Sequence, residues 1–290
     1  MKMTSRRLKD KIRNIALGDS DRSQMLFRHY FFERFLFRLS QIEEGDYFVL
    51  KGGVLISSVL GMDRRMTRDI DFTVKEELSS SELEAILSKA AQIEDEDNTS
   101  FTIESIVPIM IDRPNQGLRV HVSAQLEQTR NTFHIDVTHG DIITPYPVIR
   151  KVPFMFDDGH LEIASYPIET VIAEKFSAIV ELGRATTRMR DYYDIAMLYA
   201  LYRDQIPPAE LKHAILSTCY NKNCHDEIER YAAELPIIYT DTTMQNLWNN
   251  YLAEYPYNEQ LSWSYVLNQV ESIYSETELL RDVVEHEMER

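Results

Sequence analysis

The segment Arg64-Arg65-Met66-Thr67-Arg68-Asp69-Ile70-Asp71-Phe72-Thr73-Val74 ends in six residues that alternate between polar and apolar side chains, as a half-buried β-strand does. Because successive side chains of a strand point to opposite faces, Asp69, Asp71 and Thr73 share one face. Two neighbouring carboxylates repel each other unless a cation lies between them. The pattern therefore predicts a strand that presents two acids to a divalent cation such as Mg²⁺ or Mn²⁺.

A glycine turn of a kind that binds phosphate precedes these acids. Residues 47–50 predict a short buried strand, and the apolar run 54–60 predicts a helix. Lys51, Gly52 and Gly53 join the two, and such a turn presents backbone N–H groups to anions. The alternative for the two acids is the exposed polar face of an edge strand. Asp-x-Asp alone does not exclude that alternative, but its place after a glycine turn favours a phosphate site.

A third acid lies in a later predicted strand. In Thr132-Phe133-His134-Ile135-Asp136-Val137, the three apolar side chains point one way, and His134 and Asp136 point the other. A central strand of this kind could place Asp136 beside Asp69 and Asp71. Asp136 is therefore a third candidate metal ligand, and the alternative is an ordinary aspartate near a strand end.

Charged side chains also fall on the apolar stripes of two predicted helices. Lys175 lies on or beside the stripe of helix 168–183, and Asp191 and Asp194 open helix 188–203. Lysine seldom lies on such a stripe unpaired, and a buried aspartate requires a partner. Lys175 therefore either extends to solvent or reaches a buried carboxylate or ligand phosphate. A purely structural Lys175–Asp194 or Arg–Asp pair remains open for one of these residues.

The order of predicted elements divides the chain near Tyr166-Pro167. Helices 5–17 and 21–41 come first, and Ser79, Ser80 or Ser81 caps a helix that runs to about Ile93. The predicted strands that follow are Phe101–Met110, Leu118–Leu126, Thr132–Thr138, Val148–Phe154 and Leu161–Ala164. Beyond Pro167 we predict only helices, at 168–183, 188–203, 208–219, 243–253 and 259–289. We expect an α+β fold with a mixed sheet in a first domain, 1–166, and an all-helical second domain, 167–290.

Composition excludes several classes of protein. The chain has 290 residues, a net charge of −16 and 44% hydrophobic residues, as an ordinary globular protein has. No apolar stretch approaches the roughly 18 residues of a membrane helix, and the N-terminus lacks the apolar core of a signal peptide. The expectation is a cytoplasmic protein without a membrane partner. The acidic charge argues against extended binding of nucleic acid, although the first 75 residues are net basic and could form a local patch.

Taken together, these segments resemble the AbiEii/AbiGii-type family, the toxins of type IV toxin–antitoxin systems. The matching text, in the family's order and over about residues 30–200, is Phe48-Val49-Leu50-Lys51-Gly52-Gly53, Arg65-x-Thr67-x-Asp69-x-Asp71, Ile135-Asp136-Val137, Ala173-Glu174-Lys175-Phe176 and Arg188-x-Arg190-Asp191-Tyr192-Tyr193-Asp194-Ile195. One departure is Arg190, where the family usually carries lysine, so the charge is kept and the geometry is not.

The resemblance implies a nucleotidyltransferase fold related to DNA polymerase β and assigns roles to particular residues. The implied catalytic residues are Asp69, Asp71, Lys175 and Asp191, the last as an essential acid and candidate base. The implied metal ligands are Asp69 and Asp71, to which the strand pattern adds Asp136. The implied nucleotide-binding residues are Lys51, Gly52, Gly53, Arg65, Thr67, Lys175, Arg188 and Asp194.

The function expected from this resemblance is transfer of NMP from an NTP, with Mg²⁺ or Mn²⁺ as cofactor and release of pyrophosphate. The 3′ end of tRNA, or another RNA, is the candidate acceptor, a cognate antitoxin is the candidate partner, and RNA is expected to dock on the basic N-terminal segment. One alternative is a non-catalytic NTP- or partner-binding protein on the same fold. Another is a metal-dependent phosphatase or nuclease, which product analysis would distinguish.

Overall fold

A mixed β-sheet organises the first part of the chain. The computed structural model describes residues 3–62, 64–109, 116–256 and 258–280. The strands are β1 (Phe48–Lys51), β2 (Asp69–Val74), β3 (Thr99–Ile109), β4 (Gly117–Leu126), β5 (Thr129–His139), β6 (Val148–Pro153) and β7 (His160–Ser165). Within the described residues they form one seven-stranded sheet of order β3-β4-β5-β2-β1-β7-β6. Strand β2 pairs in parallel with β5 and antiparallel with β1.

Alternation along the central strands gives this part of the sheet one apolar and one polar face. The helices of this part are α1 (Ser5–Ala16), α2 (Ser20–Leu39), α3 (Gly52–Leu60) and α4 (Ser80–Ala91). Helix α2 packs on the apolar face, where the Phe32 ring lies 5.0 Å from that of Phe133 and the Phe35 ring 5.3 Å from that of Phe101. Burial of these rings drives the packing. The opposite face carries Asp69, and the site is built there.

A buried ion pair stabilises the end of α2. Both nitrogens of the Arg38 fork donate hydrogen bonds to Asp97, over 2.8 and 2.7 Å. The Asp97 carboxylate also accepts hydrogen bonds from the backbone N–H and the hydroxyl of Thr99. Arg38 is 1% exposed and Asp97 4%, so the pair forms away from solvent and satisfies charges that would otherwise be costly to bury.

The second part of the chain is helical. Its helices are α5 (Ile168–Leu182), α6 (Met189–Tyr202), α7 (Pro208–Asn221), α8 (Glu227–Thr240), α9 (Thr242–Glu254) and α10 (Trp263–Glu276). Its core is rich in aromatic contacts, such as Tyr192 against Trp263 at 5.0 Å and Phe176 against Tyr274 at 5.3 Å. None of the helices in the described residues is long and apolar enough to cross a membrane.

Two compact units result. The first comprises the chain up to Asp141 together with Val148–Ser165, and the second comprises Ile142–Pro147 together with the chain from Tyr166 onward. The short segment 142–147 therefore groups with the helices, because the Thr144 N–H donates to the Thr170 hydroxyl on α5, which in turn donates to the Thr144 carbonyl. The predicted domain limits of 1–166 and 167–290 remain a prediction.

The predicted α+β class is confirmed, and individual elements show where the sequence pattern misled. Ser79 is the cap of α4, with a capping box to Glu82. Helix α8 was not predicted, because Pro236 interrupts its pattern, yet the chain remains helical through it. The last predicted helix, 259–289, begins only at Trp263 and ends at Glu276. Its predicted extension beyond residue 280, and Met110 of the predicted strand 101–110, lie outside the described residues.

Candidate functional site

The strand β2 carries the two acids on the polar face of the sheet. Register places Lys51 of β1 opposite Asp71 on one side and Asp136 of β5 opposite Asp71 on the other. Asp69, two residues earlier on β2, is opposite His134 of β5. Since directly paired residues of neighbouring strands lie about 5 Å apart, three carboxylates and one lysine share a small area of the face.

In this area the negative charge of Asp71 is only partly compensated by nearby positive charge. Burial, followed by the charge of Asp69, raises the pKa of Asp71 to about 6, with Asp136 adding to the effect and Lys51 opposing it. Among the described residues, no Lys or Arg nitrogen lies within ion-pair distance of Asp69 or Asp71. A hard divalent cation prefers such paired carboxylate oxygens and would relieve their repulsion. The donor set therefore fits Mg²⁺ or Mn²⁺.

Within the described residues, the site offers a metal ion two carboxylates and not a full set of protein ligands. In the described part of the chain, no group of three or more His, Cys, Asp and Glu side chains is arranged to hold a metal ion. Magnesium ions commonly take one or two protein carboxylates and complete their coordination with waters and substrate phosphates. Two carboxylates on β2 are consistent with that mode, in which the nucleotide itself provides ligands.

The turn between β1 and α3 packs directly against the acids. Gly52 has a positive φ of 63°, and a β-carbon at this position would lie 2.0 Å from Asp71 Oδ2. A β-carbon at Gly53 would lie 2.1 Å from the hydroxyl oxygen of Thr67. The Gly53 N–H points at Asp71 Oδ2 at 3.3 Å. Both glycines are therefore required for the turn to approach the acids, which explains the Gly-Gly pair in physical terms.

The third acid already has a partner. Arg119 on β4, opposite Asp136 in the register, donates two hydrogen bonds to the Asp136 carboxylate, over 2.7 and 2.6 Å. Such bidentate pairs are among the strongest charge-assisted contacts. Asp136 thus lies next to Asp71 as expected from the sequence, but its oxygens face a guanidinium group. Its role as a metal ligand remains a prediction.

Two arginines that were not among the predicted site residues lie close to the acids. The first is Arg119, which the alternation of polar and apolar residues in strand 118–126 places on the polar face, opposite Asp136. The second is Arg28 of α2, whose pKa is lowered by burial and by the charge of Arg68, and raised by the charge of Asp69. Alternation alone could have found Arg119. Arg28 is remote in sequence, and only the fold brings its charge near Asp69.

The other residues of this unit that were predicted to bind the nucleotide all contact residues of the protein itself. The Lys51 ammonium donates to the Thr138 hydroxyl at 2.6 Å and to Asp141 Oδ2 at 2.5 Å. Burial would raise the pKa of Asp141, but the charge of Lys51 and the hydrogen bonds from Lys51, Thr138 and Thr73 together outweigh it and hold that pKa at about 2. Arg65 is buried and donates to the Met66 carbonyl, and Thr67 is buried beneath Gly53. Their assignment to nucleotide binding remains a prediction.

The second unit gathers the other predicted site residues into one ionic cluster. Lys175 Nζ lies 2.7 Å from Asp191 Oδ1 and 3.5 Å from Asp194 Oδ2. Arg188 Nε lies 2.7 Å from Asp191 Oδ2, an ionic contact without hydrogen-bond geometry. The side chains of Asp191 and Asp194 are 3% and 0% exposed, and that of Lys175 is 17% exposed. The ion pairing that the sequence left open is therefore present, and two acids face two cations.

Arg190, the departure from the family pattern, has its own setting in the second unit. Its guanidinium group stacks 5.0 Å from the centre of the Tyr255 ring and donates to the Tyr255 hydroxyl at 2.7 Å. A planar guanidinium group can stack in this way, and a lysine ammonium group cannot. The Tyr255 contact gives the substitution of lysine by arginine a local physical reason.

Part of the basic N-terminal segment is occupied by structural contacts. Lys11 Nζ donates to the Phe156 carbonyl. Arg34 donates to Asp157, and Arg38 pairs with Asp97 as described above. Three cations of the basic N-terminal segment are thus used inside the first unit. Arg6 and Lys9 of α1 remain exposed, and the docking of RNA on this segment remains a prediction that they can test.

The chain is similar to known proteins in sequence and in structure. Over residues 34–271 the sequence matches the family described as "Nucleotidyl transferase AbiEii toxin, Type IV TA system". The fold is similar to that of JHP933 from Helicobacter pylori (14% identity, TM-score 0.49, covering 91% of this chain and 98% of that chain). A second structure from H. pylori, provisionally described as a nucleotidyltransferase, has 16% identity and a TM-score of 0.48, covering 89% and 98%. A search of curated protein sequences gives no match.

Proposed function

The chain belongs to the AbiEii family of nucleotidyl transferase toxins of type IV toxin–antitoxin systems, and we propose that it is a metal-dependent enzyme that transfers NMP from an NTP to an acceptor hydroxyl. The observation that carries the proposal is the uncompensated pair Asp69 and Asp71, packed against the Gly52-Gly53 turn. Two neighbouring carboxylates disfavour each other's ionisation, and a bound cation removes that penalty. The 3′ end of tRNA is the proposed acceptor, a cognate antitoxin the proposed partner and the cytoplasm the proposed location.

In this proposal, Asp69 and Asp71 hold Mg²⁺ or Mn²⁺, with Asp136 as a further candidate ligand. When bound, the metal neutralises negative charge on the phosphate oxygens. The turn fixes the Asp71 carboxylate through Gly53 and presents the N-terminus of α3 to the nucleotide. In the described structure the side chain of Lys51 does not cap the N-terminus of α3, and the Gly53 N–H points at Asp71. The other N–H groups of the first turn are the ones that we propose meet the nucleotide.

The proposed reaction is a single displacement at phosphorus. The acceptor oxygen forms a bond to the α-phosphorus, the bond from that phosphorus to the oxygen bridging to the β-phosphate breaks, and pyrophosphate leaves. The acceptor proton passes to a base, for which the family resemblance proposes Asp191. Lys175 is the proposed contact to the nucleotide, with Arg188 and Asp194 beside it. Because Lys175 is bonded to Asp191, a phosphate that draws Lys175 away would also free an oxygen of Asp191.

A non-catalytic NTP- or partner-binding protein is the second candidate. The observation that favours it is the pairing of two of the proposed acids, since Arg119 holds Asp136 and Lys175 holds Asp191. In that case the fold would bind a nucleotide or partner without transferring a group. The two candidates differ in one product, because only a transferase releases pyrophosphate and labels an acceptor.

The deciding experiment incubates purified protein with Mg²⁺, total RNA and each NTP labelled at the α-phosphate. The variants are Asp69→Ala and Asp71→Asn, and the matched control is Asp46→Asn, an exposed acid of the same unit. Wild type and the control are expected to label an RNA band, and the two site variants to lose at least about 10²-fold of that activity. Labelling by Asp69→Ala at the wild-type rate would overturn the proposal. Labelled mononucleotide without labelled RNA would instead indicate hydrolysis.

A further inference from the structure

One face of β4 and β5 has a charge unlike that of the rest of the chain. In a protein of net charge −16, the side chains on this face between residues 119–125 and 130–136 include two arginines and two histidines but one aspartate. That aspartate, Asp136, is neutralised by Arg119. The face consists of Arg119, His121, Ser123 and Gln125 on β4 and Arg130, Thr132, His134 and Asp136 on β5. We call it the β4–β5 face.

Two imidazole rings lie side by side on this face. His121 and His134 are directly paired in the register, and their ring centres are 4.4 Å apart at an angle of 74°. Both side chains are partly accessible, and Thr132 and Arg130 beyond them are exposed. A partly open aromatic pair flanked by arginines offers stacking for a base and charge for a phosphate, the two contacts by which proteins hold single-stranded nucleic acid.

The β4–β5 face begins at the acids and continues away from the glycine turn. The row Asp69, His134, His121 crosses β2, β5 and β4 as direct register neighbours. At about 5 Å a strand, His121 lies roughly 10 Å from Asp69. The Gly52-Gly53 turn lies on the other side of β2, after β1. The two acids therefore separate a candidate phosphate turn from an aromatic face that carries the charge of Arg130.

That separation suits a transfer reaction. In phosphoryl transfer, the attacking and leaving oxygens lie roughly in line, on opposite sides of phosphorus. With the leaving pyrophosphate on the side of the glycine turn, the acceptor approaches from the side of β5. We propose that the β4–β5 face binds the acceptor as a single-stranded polynucleotide end, with Arg130 on its phosphates and His121 and His134 against its bases. This inference rests on the proposed function and names the surface that its acceptor uses.

A binding experiment tests this surface separately from catalysis. Fluorescence anisotropy would measure the affinity of the full chain for short single-stranded RNA and DNA oligonucleotides. The test variants are the double variant His121→Ala/His134→Ala and the single variant Arg130→Ala, and the matched control is Arg6→Ala/Lys9→Ala on the exposed part of α1. Thermal unfolding checks that each variant is folded, and the exposed Arg130→Ala keeps the test valid if the double variant is not.

The histidine variant is expected to weaken oligonucleotide binding about tenfold or more, as loss of base stacking does. Arg130→Ala is expected to lower the slope of log affinity against log salt by about one. Tighter binding of RNA than of DNA would identify RNA as the ligand, and the reverse would identify DNA. Unchanged affinity in both test variants would overturn the inference. A loss of affinity confined to Arg6→Ala/Lys9→Ala would also overturn it and would indicate that the oligonucleotide binds to α1.

A kinetic measurement distinguishes failure of this inference from failure of the proposed function. If wild type labels RNA, the histidine variant is expected to raise the KM for the acceptor and leave the KM for NTP unchanged. The single variant His134→Phe keeps an aromatic ring at this position. Its KM for the acceptor is therefore expected to be closer to the wild-type value than that of the double variant. An unchanged acceptor KM would overturn the inference while the transferase proposal stands. Oligonucleotide binding on this face by a protein that labels nothing would overturn the transferase proposal while the surface stands.

Discussion

The acids of β2 and the acids at the start of α6 are the same residue type in opposite electrostatic situations. On β2, Asp69 and Asp71 stand side by side, and burial together with the neighbouring charge raises the pKa of Asp71 to about 6. On α6, Asp191 and Asp194 are more deeply buried, yet Lys175 lies within 3.5 Å of both. Burial alone therefore does not mark a functional carboxylate, because a partner can compensate it.

The difference separates a site that is incomplete from one that is complete. No lysine or arginine among the described residues forms an ion pair with either acid of β2, which is why we propose that a metal ion binds there. The α6 cluster balances its charges without any ligand, since two acids face two cations, and the one polar atom left over in the described part of the cluster is Asp191 Oδ2, which accepts no hydrogen bond. Substitution should therefore cost activity in the first region, and stability before anything else in the second.

The largest effect is expected from Asp71→Asn. Loss of one of two metal-binding carboxylates is expected to lower nucleotidyl transfer by about 10³-fold, since electrostatic stabilisation at the reacting phosphate is then lost. The melting temperature should not fall, because the change removes a repelling charge. Label transfer and thermal unfolding on the same preparation check both halves. A variant that melts well below wild type would mean that the β2 acids are structural, and would remove the contrast with α6.

The next effect is expected from Asp191→Asn in the second unit. Breaking a buried ion pair while its lysine stays in place is expected to lower the free energy of unfolding by about 3–5 kcal/mol. Asp194, 3.5 Å from Lys175, is expected to hold the loss near the lower end of that range. Denaturant unfolding in the absence of nucleotide provides the measurement.

The triple variant Lys175→Met/Asp191→Asn/Asp194→Asn is the matched control for that prediction, because Lys175 also pairs with Asp194. Removing all three charges leaves no buried acid without its lysine, so this variant is expected to recover much of the stability lost by Asp191→Asn alone. If the triple variant were as unstable as the single one, the ion pairs of Lys175 would not be the source of stability, and the account of α6 as a self-compensated cluster would be wrong.

For both regions, the sequence predicted which acidic side chains share a face or a stripe. It did not predict which residues compensate their charges. Alternation over six residues was enough to place Asp69 and Asp71 on one face, because side-chain direction in a strand is a local property. That Asp136 is held by Arg119 depends on the pairing of β4 with β5, which alternation does not specify. Likewise, the charge of Arg28 reaches Asp69 only because α2 packs as it does. Register and packing are long-range properties, and they decide which charges are compensated.

The helical unit shows the same limit in its elements. Apolar periodicity predicted α5 and α6, and with them the unusual position of Lys175. It did not predict α8, because a proline such as Pro236 normally interrupts a helix. Here the helix continues through Pro236, and the burial of Tyr231 and Ile238 stabilises it. The sequence of α5 alone could not show whether Lys175 would contact a carboxylate or a phosphate, because its partner, Asp191, lies on α6.

A smaller effect is expected from a methyl group in the glycine turn. Gly52→Ala places a β-carbon 2.0 Å from Asp71 Oδ2 at a φ of 63°, whereas Gly18→Ala has a φ of 92° with no neighbour within 4 Å. Both variants carry the strain of a positive φ, roughly 1–2 kcal/mol. Gly52→Ala is expected to lose about 2 kcal/mol more and most of its Mg²⁺ binding, because Asp71 must move. Equal stability and equal Mg²⁺ affinity, by calorimetry, would mean that the turn does not position Asp71.

The smallest effect concerns Arg38 and Asp97, a buried pair to which no chemistry is assigned and which therefore calibrates the α6 cluster. Burial raises the pKa of Asp97, but the hydrogen bonds from Arg38 and Thr99 outweigh it and leave that pKa below the ordinary value of 3.8. A lowered pKa means that the folded state binds fewer protons than the unfolded state, so the stabilisation is complete above about pH 4 and is lost as pH falls further. At about pH 5, Asp97→Asn should be less stable than wild type by roughly 1–3 kcal/mol, and that difference should shrink towards about pH 3 in unfolding experiments. A difference that stayed constant with pH would show that Asp97 contributes by packing and not by charge, and the same explanation would then have to be tested for Asp191.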